Sequence, residues 1–118
     1  MGSQTTFSGI SQNTAVTSTN LFEGEPTLAV HPTNSQRLAS AWIGVVLGQG
    51  AVIRTSTSND GGATWTTPIY IPHETNHDKS ADPSLQFNSS GELFLCYVDY
   101  DGTNFTSGEI YVRKSTDN

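Results

Sequence analysis

Acidic, amide and aromatic side chains are concentrated in one stretch of the sequence, Asp99-Tyr100-Asp101-Gly102-Thr103-Asn104-Phe105. Aromatic rings stack on the apolar faces of sugars, and carboxylates and amides hydrogen-bond to sugar hydroxyls. The stretch therefore has the composition of a glycan-binding loop, and a solvated turn around Asp101-Gly102 is the alternative. The residues that we predict to contact such a ligand are Trp42, Tyr97, Asp99 and Tyr100.

Two further acids, Glu25 and Asp82, each stand directly before a proline at the start of a predicted strand. Carboxylates that are gathered together must be hydrated, protonated or neutralised. One interpretation is that Glu25 and Asp82 bind a hard cation such as calcium, the one cofactor that the sequence suggests. The alternative is that each carboxylate accepts backbone N–H groups and ties neighbouring strands together.

The composition excludes some classes of partner. The net charge is −6, with five basic against eleven acidic residues, so neither nucleic acid nor an anionic membrane is an expected partner. Charged residues make up only 14% of the chain and hydrophobic residues 34%, which favours β-structure with many turns. The single cysteine, Cys96, lies in an apolar run and is predicted to be a buried small hydrophobe. The sequence does not determine the compartment of the protein, although it favours an extracellular location.

The stretch Ser58-Asn59-Asp60-Gly61-Gly62-Ala63-Thr64-Trp65 must form a tight turn between two strands. Asp60 can accept backbone N–H groups, and the two glycines supply the positive φ that a reversal needs. Thr64 and Trp65 have side chains that suit a new strand.

A pattern of four short strands surrounds this turn and then begins again. The first copy has predicted strands at 27–30, 37–43, 51–57 and 65–71, with Pro68 suiting an edge position. The acid-Pro-hydroxyl-Leu pattern of Glu25 recurs at Asp82, 57 residues later, and predicted strands follow at 82–87, 92–99 and 109–114. The chain ends in Ser115-Thr116-Asp117-Asn118, the first half of a second turn. Four strands within such a period are typical of a β-propeller blade.

The spacing Ser-x-Asp-x-Gly-x-Thr-Trp resembles the Asp-box, or bacterial neuraminidase repeat, of sialidase-like β-propellers. The resemblance implies an all-β fold of four-stranded antiparallel blades, in which this turn joins the two outer strands and is structural. The residues that it marks as structural are Ser58, Asp60, Gly62, Thr64 and Trp65, with Ser115 and Asp117 in the incomplete second copy.

The strand count predicts one unit over 1–118 that holds about two blades. Residues 4–23, which include Thr6-Phe7-Ser8, supply a strand that completes a blade, 24–81 form a full blade, and 82–118 form three strands of another. Two blades cannot close a ring without open sheet edges, so we expect the chain to form a homo-oligomer. Because sialidase-like propellers have six blades, a trimer is favoured and a tetramer comes second. A piece of a longer propeller is the alternative.

Sialidase activity would require three arginines on the sugar carboxylate, a Tyr–Glu nucleophile and an Asp acid/base, as the resemblance implies. The chain has Arg37, Arg54 and Arg113 but lacks the Arg-Ile-Pro motif that usually supplies the first arginine. Arg54 and Arg113 are expected to form salt bridges on outer strands, and no catalytic residue is predicted. A non-catalytic, self-assembling propeller unit is the first hypothesis, a glycan-binding module the second and a glycosidase the third.

Overall fold

A computed structural model describes residues 14–116 of the chain. The described residues form seven β-strands in two antiparallel sheets. The four strands of the first sheet are β1 (Glu23–His31), β2 (Asn34–Val46), β3 (Gly50–Ser58) and β4 (Ile69–Tyr70). Those of the second are β5 (Lys79–Phe87), β6 (Leu93–Tyr100) and β7 (Gly108–Lys114). Consecutive strands are neighbours in each sheet, which confirms the all-β prediction.

The fourth strand is much shorter than the predicted 65–71. Only Ile69–Tyr70 pairs with β3, through Arg54 and Thr55. Before it, the chain stays near β3 through one backbone bond, from the Thr66 N–H to the Thr57 carbonyl (2.9 Å). Pro68 has no N–H to donate, so the ladder is interrupted just before its last two residues.

Each sheet has the same irregularity in its first pair of strands. The register shifts between Gly24 and Thr27 in β1, and between Ala81 and Ser84 in β5. Glu25 and Asp82 occupy these bulges with positive φ angles of 53° and 56°. Non-glycine residues adopt this conformation infrequently, so its recurrence 57 residues apart marks the two sheets as structural repeats.

The core lies between the two sheets. Ala41 and Ile53 of the first sheet contact Leu95 and Tyr97 of the second, and all four are buried. Because side chains alternate along a strand, the neighbours of these residues point away from the core. Cys96 is one of them, and the prediction that it is buried was wrong, since its side chain is only partly covered.

The strand predicted around Phe7, like Asp117, lies outside the described residues. Residues 14–22 contain no strand, and the Phe22 carbonyl accepts a hydrogen bond from the Val45 N–H (3.1 Å). Nowhere between residues 14 and 116 is there a helix of the length and apolarity needed to cross a membrane.

Candidate functional site

Three connections meet at one end of the sheets, which we call the loop end: residues 47–49, 71–78 and 101–107. The Asp78 N–H donates to the Tyr100 carbonyl (3.0 Å), which ties the second connection to β6. The Asp101 N–H donates to the Ser107 carbonyl (3.0 Å) and closes the third connection. The loop end therefore gathers the polar residues that the sequence places after two different strands.

Asp99 is at the centre of the loop end. Its side chain is buried and accepts hydrogen bonds on both oxygens. Oδ1 lies 2.6 Å from His73 Nδ1 and 2.7 Å from Ser80 Oγ. Oδ2 lies 2.8 Å from the Glu74 backbone N and 3.2 Å from His77 Nδ1. Four donors satisfy the carboxylate, so it is occupied in holding the 71–78 connection against β6.

The pKa of Asp99 reflects the balance between burial and these donors. Burial by itself raises the pKa of the carboxyl group. The hydrogen bonds from His73, the Glu74 N–H and Ser80, with the charge of His73, outweigh burial and hold the pKa below its ordinary value. Asp99 is therefore an anion at neutral pH.

Both histidines have an oxygen acceptor at each ring nitrogen. The second nitrogen of His73, Nε2, lies 2.8 Å from the Gln49 carbonyl oxygen. The second nitrogen of His77, also Nε2, lies 3.2 Å from Glu109 Oε2. The two rings therefore connect Asp99 to the Gln49 carbonyl on one side and to the Glu109 carboxylate on the other.

Ser80, His73 and Asp99 have the composition of a nucleophilic triad but a different geometry. In a triad the base lies between the nucleophile and the acid and contacts each with a different nitrogen. Here the Ser80 hydroxyl donates directly to Asp99 and lies 3.3 Å from the same His73 nitrogen. Ser80 is also 2% exposed, which leaves no room for a substrate. The cluster stabilises the loop end and has no geometry for nucleophilic catalysis.

The sequence reasoning identified Asp99 but missed the network around it. His73, in the 71–78 connection, and Ser80, in β5, are separated from Asp99 by 26 and 19 positions. The one available signal was the presence of two histidines close together before a strand.

The remaining acids of the loop end form the turn at 101–104. Asp101 accepts the backbone N–H of Asn104 and the hydroxyl of Thr106, and these bonds lower its pKa from 3.8 to about 2. Asp78 accepts the Gly102 N–H (2.7 Å) and the Thr103 hydroxyl, and these bonds likewise lower its pKa. Both carboxylates are engaged in forming the turn.

Aromatic surface is present on this turn. The rings of Tyr100 and Phe105 are stacked with centroids 6.1 Å apart and an interplanar angle of 28°. Phe105 is 76% exposed and has a positive φ of 56°. Sequence reasoning named Tyr100 as a ligand residue but not Phe105, because it could not foresee that the turn folds back over β6.

The other predicted ligand residues, Trp42 and Tyr97, are buried. Trp42 Nε1 donates to Glu23 Oε1 (3.0 Å). The Tyr97 hydroxyl accepts from Arg113 Nε (3.0 Å), and its ring stacks on Tyr111. Both aromatic side chains, like Asp99, thus have internal contacts in the folded chain, and ligand binding by them stays a prediction.

The arginines of the third strands form ion pairs as predicted, but their acidic partners lie on β1 and in the 71–78 connection and not on outer strands. Arg54 binds Glu23 through Nη1. Arg113 lies 3.4 Å from Glu74 Oε1 and also donates to Tyr97. Because these guanidinium groups contact different sheets and different acids, they do not converge on one point.

The predicted cation ligands Glu25 and Asp82 are exposed on separate sheets. Among residues 14–116, no group of three or more His, Cys, Asp or Glu side chains is arranged to hold a metal ion. Calcium binding by these two acids therefore requires ligands from further copies of the bulge, and it stays a prediction.

The Ser58–Trp65 turn lies at the opposite end of the first sheet. Asp60 accepts from the Thr64 N–H (2.9 Å), the Thr64 hydroxyl and the Ser58 hydroxyl (2.8 Å), and these bonds lower its pKa from 3.8 to about 2. Ser58 Oγ accepts the Gly62 N–H (2.9 Å), and Trp65 Nε1 donates to the Gly62 carbonyl (3.0 Å). Gly61 and Gly62 have φ angles of 72° and 94°, as predicted from sequence. The side chains of Ser58, Asp60, Thr64 and Trp65 are thus engaged within the turn.

A cleft of about 510 Å³ lies between the sheets near this end. Apolar side chains form much of its wall, among them Ile69, Ile71, Leu85 and Leu95. Arg113 and several threonines form its polar rim. Residues of β4 in the first sheet and of β7 in the second border the cleft.

Comparison with known proteins supports the fold. Two antiparallel sheets packed face to face, with neighbouring strands in chain order, form a sialidase-like β-sheet fold. Among solved structures the chain is similar to the Hadza microbial sialidase Hz136, with a TM-score of 0.59 and 16% sequence identity. The match covers 82% of this chain and 22% of that protein, so the chain spans about a fifth of its length. The sequence matches no protein-family model and no curated protein.

Proposed function

We propose that this chain is a non-catalytic, two-blade unit of a sialidase-like propeller that assembles with further copies of itself into a closed ring. The observation that carries the proposal is the difference in the number of strands between the two sheets. Among residues 14–116 the first sheet has four strands and the second has three, so within this part of the chain no strand pairs with β7 in the position that β4 has in the first sheet. A strand edge of this length is a template for pairing with another strand.

The N-terminal segment is the proposed source of the missing strand. The strand around Phe7, predicted within residues 4–23, would pair with β7 of a neighbouring copy, and the Ser58–Trp65 turn would be an Asp-box. Three chains would then supply six blades, and four chains would supply eight. This arrangement removes the open edge without any additional protein.

The absence of catalysis is supported by how the reactive side chains are used. Arg54 pairs with Glu23 of β1 and Arg113 pairs with Glu74 of the 71–78 connection. Tyr97 is buried, and the Asp99 carboxylate has four donors. A sialidase mechanism needs an arginine cluster facing a sugar carboxylate and an acid that is free to exchange a proton. These four residues cannot take those roles while they hold the fold together.

Light scattering coupled to size-exclusion chromatography, over a dilution series, tests the assembly. A stable mass of three chains is expected, and a mass of four would change the blade number to eight. A folded protein with the mass of one chain at every concentration would contradict the proposal. Turnover of a fluorogenic sialoside above the buffer rate would contradict the non-catalytic part.

A second candidate function is glycan binding, which the Tyr100–Phe105 pair favours. The exposed ring of Phe105, stacked on the half-buried ring of Tyr100 beside a polar turn, matches the chemistry of sugar recognition. The test is a glycan array with the assembled protein, followed by titration of any hit. Tyr100→Ala and Phe105→Ala should each abolish binding, whereas Leu47→Ala, which removes an exposed side chain from a different loop, should not. Equal binding by all variants would exclude this site.

A further inference from the structure

The outward-facing surfaces of the two sheets carry uncovered apolar side chains in the described part of the chain. We call the face of each sheet that points away from the other sheet its outer face. On the outer face of the first sheet, Leu28 is 59% exposed and Val30 is 50% exposed. On that of the second sheet, Ile110 is 69% exposed and Val112 is 66% exposed. Exposed apolar surface in adjacent positions is typical of an interaction site.

The register of the strands gives Leu28 a structural equivalent that is packed. Leu28 pairs with Ser40 one residue after the first bulge ends, and Leu85 pairs with Leu95 at the same point of the second sheet. Leu28 and Leu85 are therefore equivalent positions, 57 residues apart. Leu85 packs against the buried cluster between the sheets, whereas Leu28 faces outward. The outer face of the first sheet thus corresponds to the inner face of the second.

The reverse holds for the exposed residues of β7. Ile53 pairs with Ile43 in the first sheet, and Ile110 pairs with Val98 in the second. These pairs make Ile53 and Ile110 equivalent, and they too are 57 residues apart. Ile53 is completely buried between the sheets, but Ile110 is mostly exposed. The outer face of the second sheet thus corresponds to the inner face of the first.

We infer that the outer face of the second sheet binds the outer face of the first sheet of another copy of this chain, and so repeats between chains the packing that joins the two sheets within a chain. This inference rests on the proposed function and specifies its interface. Ile110 of one copy would join Leu28 of the next in one apolar cluster, as Ile53 and Leu85 belong to one cluster within a chain. The contact between copies would repeat the packing seen between the two sheets of one chain. The two surfaces that meet in it are different from each other.

An interface between different surfaces has a consequence for assembly. Each copy presents one surface of each kind, so copies join head to tail and the assembly ends only when a ring closes. A two-fold dimer would instead place the Ile110 face against itself. In the described part of the chain the two faces that pack together are different, so that packing is not a model for a contact between two identical faces.

Two variants that each disable one face test the inference. Leu28→Glu places a charge on the first sheet's outer face, and Ile110→Glu places one on the second sheet's outer face. Leu47→Glu is the matched control, because Leu47 is 82% exposed in the loop between β2 and β3 and lies on neither face. Light scattering gives the mass of each variant and of an equimolar mixture of the first two.

The expected result is loss of the assembled mass to that of one chain for L28E and for I110E, with the wild-type mass retained by L47E. The mixture of L28E and I110E should recover the mass of two chains and no more, because one intact face remains on each. Circular dichroism checks that each variant is folded. If either fails to fold, Val30→Glu and Val112→Glu replace them on the same faces.

Three outcomes would overturn the inference in different ways. If the wild type assembles and both face variants retain its mass, the interface is wrong although assembly stands. If L28E still dimerises while I110E is a monomer, the Ile110 face pairs with itself. If the wild type has the mass of one chain at every concentration, the proposed function fails together with this interface.

Discussion

Replacement of Asp99 by Asn should destabilise the protein substantially, because it removes half of a buried acceptor. Asn keeps one oxygen and puts an NH2 group in place of the other. That NH2 group would face either the Glu74 N–H with His77 or His73 with Ser80, and in both cases it meets donors. Two buried contacts are therefore lost.

The magnitude follows from the cost of leaving buried polar groups without a partner. Each such group costs about 1–3 kcal/mol, so two give about 2–6 kcal/mol. The free energy of unfolding of a domain is only about 5–15 kcal/mol. With a urea slope of about 1–3 kcal/mol per molar, the unfolding midpoint should fall by roughly 1 M or more.

The assay is urea unfolding followed by tryptophan fluorescence, at one protein concentration and neutral pH. Asp82→Asn is the matched control, since it makes the same substitution in the same sheet at an exposed position. Asn tolerates the left-handed backbone of that bulge, so the control should change the stability by less than about 0.5 kcal/mol. A D99N midpoint equal to that of the wild type, or a D82N loss of the same size, would refute the role we give to the network.

Other perturbations test the turn and the pH response. Ser58→Ala removes the acceptor of the Gly62 N–H and should cost about 1 kcal/mol in urea unfolding, whereas Ser84→Ala, at an exposed strand position, should cost almost nothing; equal losses would contradict the turn geometry. Folding lowers the pKa of Asp60 and of Asp101 from 3.8 to about 2. These carboxylates therefore contribute their full stability above about pH 4, and this contribution is lost as the pH falls from about 4 towards 2. Urea midpoints measured from pH 7 to pH 2 should therefore decline over that window, and the decline should be shallower in Asp101→Asn; an unchanged slope in that variant would show that Asp101 contributes nothing to it.

Much of the architecture could be predicted from local sequence. The turn at Asp60-Gly61-Gly62 is a property of adjacent residues, because a positive φ and a short acceptor side chain are needed wherever the chain reverses. The recurrence of the β-bulge of Glu25 at Asp82 also follows from the sequence, because the two bulges have similar local sequences. The strand limits were less accurate, and the fourth strand failed because Pro68 interrupts it.

The candidate site depended on contacts that no local pattern encodes. Asp99 was placed in a loop for ligand binding, but β6 extends to Tyr100 and buries it. Its partner Ser80 lies opposite it on β5, and its partner His73 comes from the 71–78 connection between the two sheets. Trp42 and Tyr97 looked like binding aromatics for the same reason, because a sequence does not say which face of a strand is covered.

The sequence by itself determined the strand periodicity, the Ser58–Trp65 turn and the 57-residue repeat, because these depend on the conformational preferences of neighbouring residues. The tertiary structure alone decided which carboxylate is buried, which arginines are paired and which apolar faces stay open. Those properties depend on the packing of one sheet on another. A residue such as Ile110 has the same local sequence signal as Ile53, and only the position of its sheet in the fold leaves it exposed.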